Sequence, residues 1–386
     1  MSEAGVYKRS LGLFELVSLG VGGTIGSGIF VVPGVAAKLS GPWSLLAWLI
    51  VALSASCVLL SLAYVSFRFT TTNSFYSLFQ SVFGARFAVP LIILYLISSI
   101  FGVSTIGAGI GQYISWFGIS NVILFEIAII GAFCWLNITG ISFSGITENI
   151  LTTLKIIPLV MVAFLLIPFI NVRNFAPSTP LTVTGLLATI IIVYWPFTGF
   201  EISAIPVEET RDPTLIRRSL IIVMGIVVSL YLLLNISLIG SVGAEALAAS
   251  PAPVATAAGI LFDNSGAFFA FVGILAMLSA INAYIVGTSR ILQSMSYEFS
   301  IPVLRNLNSR GTPAPALIVS CGISGGLLLF SNHFDQLATI SVVTTLIPYI
   351  FFCLASWELV RDGKARLISA AGAISTAAIL FVYFIV

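Results

Sequence analysis

Gly22-Gly23-Thr24-Ile25-Gly26-Ser27-Gly28 lies inside the first apolar run of the chain and puts four glycines into seven residues. In a helix interior each glycine costs about 1 kcal/mol relative to alanine. Glycine also lets helices approach closely in lipid, and Gly22 and Gly26 have the GxxxG spacing of such a packing seam. A seam accounts neither for the added Ser27-Gly28 nor for a second disruption, Tyr194-Trp195-Pro196-Phe197-Thr198-Gly199-Phe200-Glu201. The run therefore predicts a helix unwound in mid-span, with tight packing left to Gly22 and Gly23. Unwinding exposes backbone N–H groups at the start of the second half-helix, where the positive dipole end favours an anionic group. The Ser27 hydroxyl adds a donor there.

Composition makes that span a membrane span. Of 386 residues, 59% are hydrophobic and 8% charged, with mean hydropathy +1.13. Soluble domains carry about 25% charged residues. With lipid as solvent, one bundle of spanning helices over residues 1–386 is the natural expectation. A net charge of +2 is too small to suggest nucleic acid as a partner. Cys57, Cys134, Cys321 and Cys353 lie in apolar stretches without CxxC spacing and read as small buried hydrophobes. The one histidine, His333, cannot build a histidine metal site, and neither a metal nor a cofactor is expected. Lys8-Arg9 ahead of an apolar run mimics a signal peptide, but Glu15 interrupts the run and no clean cleavage site follows. A retained helix is expected.

Eleven apolar segments are long enough to cross about 30 Å of hydrocarbon. They run roughly over 11–38, 42–67, 86–117, 121–138, 146–170, 183–208, 218–241, 264–296, 314–331, 336–360 and 366–385. With a cytoplasmic N-terminus, thirteen of the sixteen basic residues fall on inner ends and loops, from Lys8 and Arg9 to Arg361, Lys364 and Arg366. Only Lys38 and Arg173 fall outside, and Lys155 lies within helix 5. That bias predicts a multi-pass cell-membrane protein with its N-terminus cytoplasmic and its C-terminus extracytoplasmic. The first five helices (about 11–170) and the next five (about 183–361) each begin with an interrupted helix, and a last helix (about 366–385) stands outside them. Because five is odd, the second set enters from the opposite side, so any repeat is inverted. Matching interruptions in inverted halves point to a transporter site.

Pro196 and Gly199 remove or loosen ladder bonds in helix 6, where a bare proline kink is the plainer alternative. Trp195, Phe197 and Phe200 suit a core as well as a cavity wall, and carbonyls near Thr198 could accept bonds from an ammonium. Glu201 lies near the membrane centre, either bonding the unwound backbone or carrying a proton. Lys155 is about nine residues into its helix, or ~14 Å deep, too far to snorkel easily. It is either a strap to carbonyls or a carboxylate, or a titrating ammonium that carries a coupled proton or replaces a sodium ion. The run Glu208-Glu209-Thr210-Arg211-Asp212-Pro213 reads as a solvated loop, with gating salt bridges as the alternative.

Taken together these stretches resemble the amino acid–polyamine–organocation family of amino acid transporters over nearly the whole chain. Gly23-Thr24-Ile25-Gly26-Ser27-Gly28-Ile29-Phe30 with Pro33-Gly34 is similar to that family's helix 1 signature, and Trp195 to Glu201 is similar to its helix 6 signature. The loop Glu208–Pro213 and the segment Ser289-Arg290-Ile291-Leu292 to Arg310-Gly311-Thr312-Pro313 match two further motifs in order. The resemblance implies the five-plus-five inverted-repeat, all-α fold of the leucine-transporter class, with alternating access. It implies that Gly26, Ser27 and Gly28 receive a substrate carboxylate, that carbonyls near Thr24 and Thr198 meet the amine, and that Trp195 closes over the side chain. Ile25, Phe197 and Gly199 complete that lining, and Lys155 and Glu201 become coupling or gating groups. A lysine at the helix 5 position argues for proton coupling or sodium-independent exchange.

The expected function is a secondary transporter of amino acids or related amines, by proton symport or exchange. A polyamine or organocation carrier and a transceptor that binds without net transport remain open, and so does a homodimer. With no acidic residue obviously placed for a cationic side chain, a neutral or apolar substrate is favoured. An enzyme would need paired carboxylates, a metal or a Ser–His pair at membrane depth, and a channel a repeated pore lining; neither pattern is visible. Two departures from the family pattern stand out. The chain has eleven helices where many members have twelve, and Thr71-Thr72-Asn73-Ser74-Phe75-Tyr76 lacks the usual glycine pair before a tyrosine.

Overall fold

The first apolar run folds as two helices, α1 (Leu13–Thr24) and α2 (Ser27–Ser40), with Ile25 and Gly26 between them in extended backbone. This computed structural model describes residues 11–66, 74–140, 145–177, 180–201, 210–212 and 214–385. Lys8, Arg9, Thr71 to Asn73, Glu208, Glu209 and Pro213, singled out above, lie outside them. Gly41 at φ +56° ends α2 in a conformation that L side chains rarely adopt, and Pro42 opens the turn into α3 (Ser44–Val65). Then follow α4 (Ser74–Phe83), α5 (Ala85–Trp116), α6 (Ile123–Ile138), α7 (Gly145–Leu165) and α8 (Val183–Tyr194). The remainder comprises α9 (Thr214–Ala248), α10 (Pro253–Ala258), α11 (Ser265–Glu298), α12 (Pro302–Arg305), α13 (Ala314–Phe330), α14 (Phe334–Leu359) and α15 (Gly363–Ile385).

Among the described residues the regular elements are all helical, and Leu11 forms an isolated bridge with Thr210. Seven helical stretches are long and apolar enough to cross a membrane, the first of them, Leu13–Val65, containing the turn at Gly41. Three shorter apolar helices, Ile123–Ile138, Val183–Phe197 and Ala314–Phe330, lie between them. Two elements escape the hydropathy pattern. In α4, Phe75, Tyr76, Leu78 and Phe79 are buried while Ser77, Gln80 and Ser81 face out, so it is amphipathic and too short to register as a span. The short α10 follows α9, which runs seven residues past the expected end, through a kink at Gly243.

At the centre of the bundle α5 packs against α11 and α14, and α1 and α2 pack against α9. The terminal helix α15 packs on α3 and α14 through a row of hydroxyls. Ser369 donates to Ser356 at 2.8 Å and accepts from Ser61 at 3.2 Å, and Ser375 lies 2.9 Å from Ser54. Ser54 in turn lies 3.2 Å from the Tyr194 hydroxyl, at the end of α8. Gly372 sits within this seam, where a Cβ would come within 2.8 Å of Cys353 Sγ and 3.2 Å of the Cys57 backbone. Gly372→Leu is therefore expected to overpack the seam, costing about 1–3 kcal/mol and lowering the thermal midpoint in detergent. Gly322→Leu, where nothing lies within 4 Å, is expected to leave the midpoint unchanged in the same assay.

Candidate functional site

The interruption in the first helix is two residues long rather than seven. Gly22, Gly23 and Thr24 remain helical, Ile25 N still donates to Val21 O at 2.8 Å, and Gly26 N turns back to Thr24 O at 3.1 Å. The second interruption begins where α8 tightens into a single 3-10 turn over Trp195–Phe197, after which Thr198 is extended. Pro196 has no N–H to continue the ladder. Gly199 then takes φ +93°, a conformation open to glycine, and a Cβ there would lie 2.7 Å from Gly23 O.

The two interruptions touch. A Cβ on Gly28 would lie 2.6 Å from Pro196 Cα, and one on Gly26 would lie 2.8 Å from Ala280 Cβ on α11. Gly26 and Gly28 are thus themselves closely packed, because α2 restarts directly against the second break and against α11 and leaves no room for a Cβ at either position. Trp195 Nε1 donates to Ser27 Oγ at 3.3 Å and so links the breaks through side chains as well.

Most groups expected to meet a ligand already have partners in this conformation. Thr24 O accepts from the Tyr231 hydroxyl at 3.1 Å, and Thr24 Oγ1 donates back to Gly20 O at 2.7 Å. Thr198 Oγ1 donates to Trp195 O at 2.8 Å and lies 3.4 Å from the Tyr284 hydroxyl. Ile25 is fully buried. Phe197 is buried in a ring cluster with Trp48 and Tyr231, at centroid distances of 5.9 and 5.2 Å. Trp195 stacks obliquely on Tyr284 at 5.9 Å. The N–H groups opening α2 have no side-chain cap.

Lys155 is 1% exposed and reaches across to the first helix, donating to Gly22 O at 2.6 Å and to Ser279 Oγ on α11 at 3.3 Å. It thereby ties the last turn of α1 to α7 and α11. Glu201 is 3% exposed and accepts three bonds: from the Tyr95 hydroxyl at 2.8 Å, the Tyr349 hydroxyl at 2.9 Å and Gly199 N at 3.1 Å. A carboxylate among the candidate lining residues is thus already engaged by protein donors. Beside it a cavity of about 20 Å³, room for about one water, is lined by Tyr95, Thr198, Glu201, Tyr284 and Thr288. The Thr288 hydroxyl there is buried without a partner.

A much larger cavity of about 730 Å³ lies on the other side of the breaks, with Lys38, Gln112, His333 and Asp335 in its walls. It extends down to Val31 on α2 and to Ile191 and Ile192 on α8. Those residues are one turn from Ser27 and Trp195, so the cavity ends about 6 Å short of each break at 1.5 Å rise per residue. Sequence reasoning missed Tyr95, Tyr231, Tyr284, Tyr349 and Ser279. The signal available for them is a hydroxyl inside an apolar span, where a buried donor needs a partner. Tyr95→Phe and Tyr349→Phe each remove one donor to buried Glu201 and are expected to cost about 1–3 kcal/mol. Thermal unfolding in detergent is the check, and the double variant should depart from additivity because both bonds end on one carboxylate.

A profile of the family described as Amino acid permease matches residues 11–386. The Bacillus subtilis branched-chain amino acid permease BcaP is 24% identical over 378 residues, covering 90% of this chain and 80% of that protein. The serine/threonine exchanger SteT of the same organism is 25% identical over 382 residues, covering 95% and 86%. Among solved structures, the crystal structure of MhsT in complex with L-phenylalanine superposes with a TM-score of 0.72 at 14% identity, over 98% of this chain and 99% of that one. At that identity the likeness concerns the fold alone, which is leucine-transporter-like. The family resemblance read from the motifs is borne out: the chain belongs to the Amino acid permease family, whose members are transporters rather than enzymes, and is a multi-pass membrane protein.

Proposed function

We propose that this chain is a secondary transporter of amino acids or related amines that works by alternating access, by proton symport or sodium-independent exchange. The observation that carries this reading is the contact between the two helix interruptions, Gly28 against Pro196 and Trp195 on Ser27, in the middle of the bundle. Broken helices meeting at mid-depth are the arrangement in which transporters expose backbone donors and acceptors to a substrate. Relatives named for branched-chain amino acids and for serine and threonine exchange support an amino acid as substrate.

In this reading the chain crosses the bilayer eleven times as a single domain, with a five-plus-five inverted repeat and α15 outside it. The N-terminus is cytoplasmic and the C-terminus extracytoplasmic. A substrate carboxylate takes the N–H groups at the start of α2 together with Ser27 Oγ. The amine displaces the Tyr231 hydroxyl from the Thr24 carbonyl and meets the carbonyls near Thr198, with Trp195 over the side chain. Ile25, Gly26, Gly28, Phe197 and Gly199 shape the pocket through backbone and packing. The large cavity above Val31 and Ile191 is the outer approach, and the Tyr95–Glu201–Tyr349 layer closes the inner one. Lys155 and Glu201 are the coupling and gating groups.

Uptake into proteoliposomes, with and without a pH gradient, tests the whole reading. At least one amino acid or amine should accumulate or exchange by counterflow, and failure across a full panel under both conditions would sink it. Lys155→Met keeps most of the side-chain volume while removing the ammonium. It is expected to leave the protein folded and to flatten the dependence of transport on pH; an unchanged profile would make Lys155 a structural strap alone.

A further inference from the structure

Glu126, in the first turn of α6, takes no part in either interruption. It is 1% exposed, and its Oε2 is buried without a hydrogen-bond partner. Its carboxyl lies directly over Gly111 of α5, where a Cβ would fall 1.8 Å from Oε1. Gly107, one turn earlier on the same face, would bring a Cβ to 3.5 Å from Ile130, also on α6. Gly107 and Gly111 thus form the seat of α6 on α5. Gly109, on the opposite face of α5, meets Ser27, with its Cβ position 2.9 Å from Ser27 Cβ. Here three glycines of α5 separate Glu126 on one face from the first interruption on the other.

The helices packed against α6 bring no counter-charge to this carboxyl. The only charge on α5 is Arg86, at its other end, and the nearby Tyr113 hydroxyl is spent on Phe30 O at 2.8 Å. No residue of α13 is charged, and its titratable Cys321 is paired with Cys134. The charges of α11, Arg290 and Glu298, lie in its last third, and its polar contact with α6 is Asn282 with Asn137 at 2.8 Å. His333 borders a cavity of about 280 Å³ whose wall includes Val122 and Ile123, one turn before Glu126 on the same helix face. An ionised carboxylate with one oxygen buried and unpartnered is disfavoured, whereas the neutral acid can lie against Gly111.

We propose that Glu126 is a proton-binding site separate from the substrate site, occupied while α6 is seated on α5 and emptied when that seam opens to the neighbouring cavity. Its state reaches the first interruption through the glycine-rich turn of α5, since unseating α6 frees one face of a segment whose opposite face backs Ser27. Acid pH then favours the conformation described here, with the large cavity open to Val31, and alkaline pH withdraws from it.

The test needs no substrate, so its outcome is independent of the transport reading. Infrared spectra of the full-length protein in detergent should show, at neutral pH, the carbonyl stretch of a protonated carboxyl that E126Q lacks. In a background with the four cysteines replaced by alanine, V31C should be labelled by an impermeant maleimide. Once normalised to the same variant carrying E126Q, labelling should fall at least threefold from acid to alkaline pH. If E126Q fails to fold, E126D, which withdraws the acid from Gly111 by one methylene, should shift the titration of the infrared band. A carboxyl band untouched by either substitution, or labelling with one pH profile in both backgrounds, overturns the proposal.

Discussion

Backbone that leaves the helix in the middle of a bilayer has no water to bond, so protein groups must satisfy it. That constraint organises the centre of this molecule. Tyr231 covers Thr24 O, Lys155 covers Gly22 O, and Glu201 covers Gly199 N. Tyr231 and Lys155 are remote in sequence from the backbone they bond, so the first interruption is satisfied only within the assembled bundle.

The two sides of the breaks are closed by different means. Toward Lys38 only a turn of apolar helix, Val31 and Ile191–Ile192, separates the large cavity from Ser27 and Trp195. Toward α14 the seal is polar: Tyr95 and Tyr349 share the Glu201 carboxylate, and Ser98 bonds both Ser341 and Thr345. An apolar turn can yield by sliding, whereas a hydrogen-bonded layer must exchange partners.

Much of this was legible before any coordinate. The spans follow from hydropathy because lipid leaves few alternatives, and both interruptions follow from glycine and proline in runs that are otherwise helical. What escaped was whatever depends on the neighbour rather than on the residue. Glycine spacing cannot distinguish a glycine whose carbonyl is bonded by a distant side chain, as Gly22's is by Lys155, from one that admits a neighbour, as Gly28 admits Pro196. Tyr95, Tyr231 and Tyr349 look like ordinary aromatics in apolar helices until another helix brings an acceptor. The α4 helix was hidden because its ten residues alternate between buried rings and exposed serine and glutamine, which averages to an unremarkable hydropathy.

The hydroxyl row on α15 bears on how such a molecule moves. Ser54, Ser375 and Tyr194 link the terminal helix to the end of α8, immediately before Trp195. The terminal helix is therefore tied directly to the helix that leads into the second interruption. When α8 tilts, α15 must either travel with it or pass the Tyr194 bond along its own hydroxyls, of which Thr376 is the next within reach at 3.5 Å. Serine and threonine suit such a handover, because each can donate or accept and the rung given up is replaced by an equivalent one. A shift of α8 against α15 would therefore exchange one hydroxyl partner for an equivalent one rather than leave the Tyr194 hydroxyl bare.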